Sequence, residues 1–296
     1  MRNPPDSCRR LRCVIPRPYS AVSAMRPSAR FAANRAHGRV VLTAEYGRGI
    51  TVRKRLHESG GLRMHFPGQR KRELEAVLIN TAGGIAGGDR FDLDIAAGEK
   101  ARLLVSTAAA EKLYRSLGPK ARIGIKLSAA ADASLAWLPQ ETILFDGARL
   151  ERTIDIELAA DARLVFAEAV VFGRTGMGEA VKHGFLFDRW RVRRGGKLVF
   201  AESVRLDGPI AEKLHKAGVA NGDAGIATVL IVPGSAEAIE PLRALGPRLR
   251  GEVGTSAWNG IAVARLCAPD GAALRHDLMA LVATLRGGRL PHCWVH

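Results

Sequence analysis

The sequence predicts a mainly β protein: a body of stacked β-hairpins that resembles a solenoid or a sandwich, with two or three helices in the C-terminal third. Between residues 40 and 205 an alternating strand, a small-residue turn and a second strand recur about every 29–34 residues, a period typical of stacked β architectures. Each such hairpin buries one face and needs its neighbours to cover it. Helical periodicity appears only after Leu206.

The repeat is clearest in three copies and weaker in a fourth. Apolar and polar residues alternate at 91–95, 123–127 and 154–158, and the chain returns through 101–105, 133–137 and 162–166. The fourth copy turns at Gly195 and Gly196, and its return strand at 198–202 repeats residues 164–168 letter for letter, as LVFAE. An ordinary antiparallel sandwich whose hairpins merely look alike is the alternative.

Shorter patterns flank the repeats. The sequence predicts strands at 40–46, 50–57 and 74–80 before them, and strands at 224–232 and 260–267 after them. Helices are predicted at 209–217, 235–245 and 272–286. Ser235 is the candidate N-cap of the second helix, and the third helix carries its leucines on one face.

The N-terminal segment differs from the rest of the chain. Residues 1–37 contain eight arginines and a single acid, Asp6, among prolines and serines and without a hydrophobic period. We therefore expect residues 1–34 to be a disordered basic extension. Organelle transit peptides have a similar composition, but a misassigned start, with translation beginning near Met25, is the explanation we favour. Residues 35–296 are predicted to form a single domain.

Composition narrows the class of partner. A formal charge of +16 is typical of proteins that bind nucleic acid or an acidic protein surface. Aromatic residues make up 5% of the chain, too few to favour a single-strand nucleic-acid binder. No apolar run approaches the ~20 residues that a membrane span requires. The four cysteines form no CxxC pair, which fits the reducing cytoplasm. From these features together we expect a soluble cytoplasmic protein with no membrane or nucleic-acid partner.

A glycine-rich stretch, LINTAGGIAGGD, occupies residues 78–89. Its two glycine pairs predict a tightly folded loop, since glycine adopts positive φ freely and allows close backbone approach. The stretch is not followed by Gly-Lys-Ser/Thr, and a strand pattern comes after it where a phosphate-binding loop has a helix. We expect a structural or partner-facing loop, together with a second segment that contains Tyr114 and Arg115. The loop residues concerned are Gly83, Gly84, Gly87, Gly88 and Asp89.

Polar segments follow the second strand of each repeat, and stacking in register would bring them to one side of the solenoid. They contain four carboxylates of interest: Glu141, Asp146, Glu168 and Glu179. A carboxylate pair could cleave a glycoside, oxygen ligands could carry a divalent metal ion weakly, or the groups could cap turns and pair with arginines. The C-terminal His292, Cys293 and His296 form a weaker candidate metal site, since imidazole and thiolate suit nickel, copper or zinc.

Four longer stretches stand out along the chain: LINTAGGIAGGDR (78–90), AAEKLYRS (109–116), WLPQETILFDGARL (137–150) and EAVVFGRTGMGE (168–179). They resemble the signature stretches of the urease accessory protein family UreD, called UreH in some organisms. The resemblance covers residues 38–294 approximately, in the family's order and spacing. Where the family often ends on Pro-Arg-x-Trp, this chain has Pro291-His292-Cys293-Trp294.

The resemblance implies a non-enzymatic maturation factor with a β-rich solenoid-like body. Such a scaffold or chaperone binds UreF, recruits UreG through UreF, and docks on apo-urease, within a complex that can be dimeric, so that nickel reaches the urease active site. It implies no catalytic residue and no tightly bound cofactor, with nickel(II) held transiently. Glu141, Asp146, Glu168 and Glu179 lie in matching motifs and become the candidate nickel route. The alternative function is a stacked-β enzyme that acts on an acidic polysaccharide through paired carboxylates.

Overall fold

The computed structural model describes residues 35–70 and 72–295; the predictions for residues 1–34 and for His296 lie outside this range. The strands are β1 (His37–Gly47), β2 (Ile50–Ser59), β3 (Leu62–His65), β4 (Gln69–Arg70), β5 (Glu73–Asn80), β6 (Arg90–Ala97), β7 (Arg102–Thr107), β8 (Glu111–Leu113), β9 (Ala121–Ala129), β10 (Ser134–Leu138), β11 (Thr142–Leu144), β12 (Arg149–Leu158), β13 (Arg163–Phe172), β14 (His183–Arg194), β15 (Lys197–Pro209), β16 (Gly225–Val232), β17 (Glu252–Trp258) and β18 (Ile261–Ala268). The helices are α1 (Ile210–Leu214), α2 (Ala236–Arg243) and α3 (Gly271–Leu285).

Two sheets face each other across the core. Sheet A has the order β15-β14-β12-β9-β6-β1-β2, and sheet B has the order β17-β18-β16-β13-β10-β7-β5-β3. The central strands of both sheets run parallel, from β1 to β14 across sheet A and from β5 to β13 across sheet B. Antiparallel strands flank them, with β2 and β15 at the two ends of sheet A. The mainly β, stacked, solenoid-like fold class is confirmed.

The repeat folds differently from a simple hairpin in its first three copies. β6 lies in sheet A and β7 in sheet B, and the same holds for β9 with β10 and for β12 with β13. The small-residue turn therefore carries the chain from one sheet to the other, and each strand pairs in parallel with its equivalent in the next copy. The fourth copy, β14 and β15, is a true antiparallel hairpin within sheet A. Alternation marks one buried face, and it does not reveal which neighbour a strand pairs with.

Register places equivalent inward side chains in columns across sheet A. Leu93 lies beside Ile125, and Ile125 lies beside Ile154. The preceding column runs from Phe91 to Ile123 and then to Arg152. A buried arginine thus takes the position that two apolar residues hold in the earlier copies, and it introduces charge into the space between the sheets.

Helices α2 and α3 cover the outer face of sheet B, whereas Ile210 and Leu214 of α1 belong to the main core. Ile239 and Leu242 of α2 and Leu274, Leu278 and Leu281 of α3 form a second apolar cluster with outward residues of that sheet. Ser235 caps α2 as predicted, since its Oγ accepts a hydrogen bond from the Ala238 amide. The three helices lie in the C-terminal third as expected. No helix in the described part of the chain is both long and apolar enough to cross a membrane.

The duplicated pentapeptide LVFAE adopts strand structure in two different environments. In β13 Leu164 is 1% exposed within the core, whereas in β15, an edge strand, Leu198 is 54% exposed. Glu168 bonds to a buried arginine, and Glu202 forms a two-point ion pair with Arg265 near the end of the sheets. The same five residues therefore contribute differently to stability in β13 and in β15.

We predict that Leu164→Ala lowers the free energy of unfolding by about 2–5 kcal/mol, because it removes fully buried methyl groups and leaves a cavity. Leu198→Ala should cost less than about 1 kcal/mol, because its side chain is half in solvent. Urea unfolding of the full chain, with the folded fraction measured by pulse proteolysis, gives both values. Equal losses in the two variants would contradict the placement of the repeated strands.

Candidate functional site

The four motif stretches stack on one side of the solenoid. Ile85 of the glycine loop pairs with Leu113, β8 pairs in parallel with β11, and β11 pairs in parallel with the end of β13. The sequence expectation that these polar segments meet along one side is therefore correct. The stacking also explains why the four motifs are spaced at the repeat period.

The glycine loop packs directly on the segment 112–116. The Ile85 amide donates to the Lys112 carbonyl at 2.8 Å, and the Tyr114 hydroxyl donates to the Gly83 carbonyl at 3.0 Å. A Cβ at Gly84 would lie 2.5 Å from the Tyr114 ring, so only glycine allows this approach. Asp89 is buried and accepts from the Ala36 amide at 2.9 Å and from the Ala86 amide at 2.7 Å. The structure thus gives this loop a folding role.

Aromatic and cationic side chains continue this stack. The Tyr114 ring meets the Phe145 ring edge-on at 5.3 Å, and the Arg174 guanidinium lies 4.4 Å from the centre of the Phe145 ring. Arg174 in turn pairs with Glu179 at 2.7 Å. Successive motifs therefore contribute side chains to a single ladder of contacts: Tyr114, then Phe145, then Arg174 with Glu179.

Side chains from all four motifs also meet inside the molecule, around a cavity of about 60 Å³ between the sheets. The space is large enough for a few water molecules. Its walls are partly apolar, with Phe91 and Ile123 among them. The polar side chains that reach it are Asn80, Thr107, Glu111, Gln140, Thr142, Arg152 and Glu168.

Arg152 holds a buried ion triad at this cavity. Its Nη1 donates to Glu168 of sheet B, and its Nε and Nη2 donate to Asp188 of sheet A. Two indoles complete the network, since Trp137 Nε1 donates to Glu168 and Trp190 Nε1 donates to Asp188, each at 2.8 Å. Every oxygen of the two carboxylates therefore accepts at least one hydrogen bond, which offsets the cost of removing them from water.

Burial and charge oppose each other in this triad. Burial raises the pKa of Glu168, while Arg152 beside it acts to lower it. Burial alone would lower the pKa of Arg152, but the carboxylates Asp188 and Glu168 together raise it. Arg152 is therefore a fixed cation that faces two acids, and burial outweighs its effect on Glu168, whose pKa is raised overall.

Glu111 is a second acid at the cavity. Its Oε2 accepts a hydrogen bond from Asn80 Nδ2 at 3.0 Å, and Asn80 also donates to the Gly84 carbonyl at 3.1 Å. Burial raises the pKa of Glu111, and the Asn80 hydrogen bond offsets part of that rise. A carboxyl group of this kind takes up protons more readily than a solvated glutamate.

The four carboxylates predicted as a route are spread over three places. Glu168 lies inside, in the triad. Glu141 pairs with Arg275 of α3 at 3.1 Å. Asp146 accepts from the Lys182 and His183 amides at 2.8 and 3.0 Å, beside the ladder that holds Glu179. The Asp146 backbone also donates a hydrogen bond to the Glu179 carboxylate, so these two residues are neighbours, whereas Glu141 and Glu168 have other partners.

The C-terminal segment is packed against the same motif region. The His292 amide donates to buried Glu75 at 2.6 Å, and Gln140 donates to the Cys293 carbonyl at 3.3 Å. Trp294 is buried in the cluster under the helices. Burial raises the pKa of the Cys293 thiol, and Glu75 adds to the rise, which disfavours the thiolate that binds metals. Cys293 and Cys267 are both free thiols.

Within residues 35–70 and 72–295 no three His, Cys, Asp or Glu side chains are grouped so as to hold a metal ion. Sequence reasoning missed Asn80, Arg152 and Asp188 as interior polar residues and gave no role to Glu111. A signal was present for Arg152 and Asp188, because each occupies the inward phase of an alternating strand where the other residues are apolar.

Comparison with known proteins covers nearly the whole chain. A family model described as UreD urease accessory protein matches residues 34–294. A protein of Rhodopseudomonas palustris strain BisB5 is 56% identical over 265 residues, 90% of this chain and 94% of that protein. A protein of strain BisB18 is 58% identical over 265 residues, 90% and 96% of the two chains, and one of Bradyrhizobium diazoefficiens is 53% identical over 266 residues, again 90% and 96%. All three bear the name urease accessory protein UreD.

We predict that Glu111→Gln stabilises the fold at neutral pH. The folded chain holds the Glu111 proton more tightly than the unfolded chain does, so wild-type stability should fall as the pH rises above the ordinary glutamate pKa of 4.5. Gln keeps the acceptor for Asn80 and cannot ionise. Urea unfolding gives the free energy of unfolding at each pH between weakly acid and neutral. This free energy should change less with pH for the variant than for wild type. Glu99→Gln, at an exposed turn, is the control, and parallel curves for Glu111→Gln and wild type would contradict the prediction.

Proposed function

This chain belongs to the UreD family of urease accessory proteins, and we propose from that membership that it is a non-enzymatic scaffold for urease maturation. In this proposal the protein binds UreF, recruits UreG through UreF, and docks on apo-urease in the cytoplasm, within a complex that can be dimeric. Its task is to assist delivery of nickel to the urease active site. Nickel(II) is cargo that the chain holds transiently, and no cofactor stays bound.

The observation that carries the proposal is the extent of the family match. It spans residues 34–294 and therefore includes every strand and helix of the fold. The four motifs within it contribute to the outer ladder and to part of the cavity lining. A match of this extent, at identities of 53–58%, involves the whole architecture and not one shared module.

For the nickel route we propose the carboxylates Glu141, Asp146, Glu168 and Glu179. Oxygen ligands bind nickel more weakly than imidazole or thiolate groups do, which suits a metal that must be released. Support for an interior step comes from the cavity, where Glu168 and Glu111 both reach the lumen. Asp146 and Glu179 are adjacent at the outer ladder and would act at the surface. His292 and Cys293 remain a weaker candidate site.

The alternative of a polysaccharide enzyme loses support from the side-chain contacts. A glycosidase needs one free acid and one free base or nucleophile at a fixed separation. Here Glu168 is bonded to Trp137 and Arg152, and Glu141 is paired with Arg275. Neither carboxylate is available to a sugar without breaking these bonds.

We expect deletion of this gene from cells that express its urease cluster to leave urease inactive and poor in nickel, and reintroduction to restore both. Enzyme activity and nickel per urease, measured by metal analysis of the purified enzyme, test this. Fully active urease in the deletion strain would refute the maturation role.

We further expect the double substitution Glu141→Gln/Glu168→Gln to lower urease activity and nickel content several-fold in the same strain. Gln retains an acceptor for Trp137 and for Arg275, but at position 168 it also removes a charged partner of buried Arg152, so folding must be checked alongside activity. The amount of accessory protein must be compared by immunoblot, with Glu99→Gln as the control substitution. Normal maturation by the double variant at normal abundance would exclude this route.

A further inference from the structure

Charged side chains form a regular pattern on the outer face of sheet A. One row across the parallel strands runs from Asp94 of β6 to Lys126 of β9, Asp155 of β12 and Arg191 of β14. Its signs alternate strictly, so that each inner member has an opposite charge on both sides. Such cross-strand pairs stabilise a sheet.

The alternation stops at β14. The next strand, β15, ends the sheet and places Ala201 beside Arg191 and Ser203 beside Arg189. On its other side Arg189 neighbours Thr153, so it has no charged neighbour in its row. One strand position further, Arg205 lies beside Phe187. We call Arg189, Arg191 and Arg205 the cationic stripe.

The stripe contains donors that the chain does not satisfy. Arg189 and Arg191 make no ion pair with any residue of the described ranges, and Arg189 Nε is buried without a hydrogen-bond acceptor. A buried donor without an acceptor destabilises the structure that holds it. The small side chains Ala201 and Ser203 leave open space over β15, directly beside these guanidinium groups.

More positive charge lies at one end of the stripe, around the outward ring of Phe185. Lys120 lies 3.8 Å from the ring centre, Arg149 lies 5.7 Å from it and Arg205 lies 6.0 Å from it. Arg149 Nε is a second buried donor without an acceptor. Glu151 offsets Lys120 at 3.7 Å and Asp207 offsets Arg205 at 3.4 Å, both at the surface, so the cluster keeps an excess of cations.

We propose that the cationic stripe docks an extended acidic segment of a protein partner, which lies over Ala201 and Ser203 of β15. Its carboxylates continue the alternation of the sheet as the next negative column and supply acceptors to Arg189 and Arg191. Alternate residues of an extended chain are roughly 6.8 Å apart on one face, which matches the spacing of arginines two residues apart on β14. This inference depends on the proposed function only for the identity of the biological partner.

A protein suits this surface better than a nucleic acid. The carboxylates Glu151, Asp155 and Glu157 lie on β12, one strand away from the β14 arginines, and would repel a continuous line of phosphates. A peptide presents carboxylates on one side and neutral groups elsewhere, so it can meet the stripe and leave β12 undisturbed.

The test uses the full chain and a synthetic peptide of about eight residues with glutamate at alternate positions, read by fluorescence anisotropy at low salt. We expect the peptide to bind wild type, and Arg189→Gln/Arg191→Gln to weaken it about tenfold. Ala201→Asp/Ser203→Asp keeps both arginines but supplies an internal acidic column, and it should weaken binding to a similar extent. Arg191→Gln alone changes an exposed side chain and serves if the double variants fold poorly.

Two controls make the outcome decisive. Arg55→Gln/Arg102→Gln removes the same charge from exposed positions outside the stripe and should leave peptide affinity unchanged. A peptide with glutamine in place of each glutamate should not bind wild type. Equal affinity of wild type and the stripe variants would overturn the proposal, and so would tighter binding of duplex DNA at the stripe. Urease activity in the deletion strain tests the proposed function separately, because the peptide-binding assay contains no urease.

Discussion

The fold depends on one buried cation. Arg152 projects from sheet A into the space between the sheets and bonds to Glu168 of sheet B and Asp188 of its own sheet. In the preceding copies of the repeat the same column holds Phe91 and Ile123, so two layers of apolar packing lead to a charged third layer. A buried ion pair yields little net stability, whereas loss of one partner costs about 3–5 kcal/mol. The triad therefore joins the two sheets at one defined pair of positions, Arg152 and Glu168, and it places ionisable groups at the cavity.

The family motifs acquire a physical meaning from this architecture. Three of the four motifs begin within a strand (β5, β10 or β13) that contributes side chains to the cavity, and all four contribute to the outer stack. Asn80 and Gly84, joined by a hydrogen bond, show both uses within one motif: the amide reaches the lumen, and the glycine admits the Tyr114 ring. A substitution in such a stretch affects interior polarity and turn geometry together, so a loss of function there does not by itself identify a metal ligand.

The positions of most strands and of the C-terminal helices could be predicted from the sequence. Alternation and period identified the strands, and Ser235 marked the start of α2, because these signals are local. The pairing of β6 with β9, and not with β7, is non-local and leaves the same alternation. The LVFAE repeat shows the same limit, since burial of Leu164 and exposure of Leu198 depend on position in the sheet. Carboxylates in equivalent segments were expected to gather, yet Glu168 lies within β13 and bonds to Arg152 between the sheets, whereas Glu141 lies just before β11 and pairs with Arg275 of α3. Alignment of the copies would have exposed Arg152 opposite Ile123.

The two hairpins at the ends of sheet A set a limit on the growth of the molecule. A parallel stack is open-ended, because the last strand of one coil is a template for the next. Here β2 closes one end and β15 closes the other by antiparallel pairing, and each reverses the strand direction that a further coil would need. An added coil could enter only between the two hairpins, where it would lengthen both sheets by one parallel strand. With both edges closed in this way, sheet A offers no parallel template at either end, so the number of coils is set from the inside of the stack.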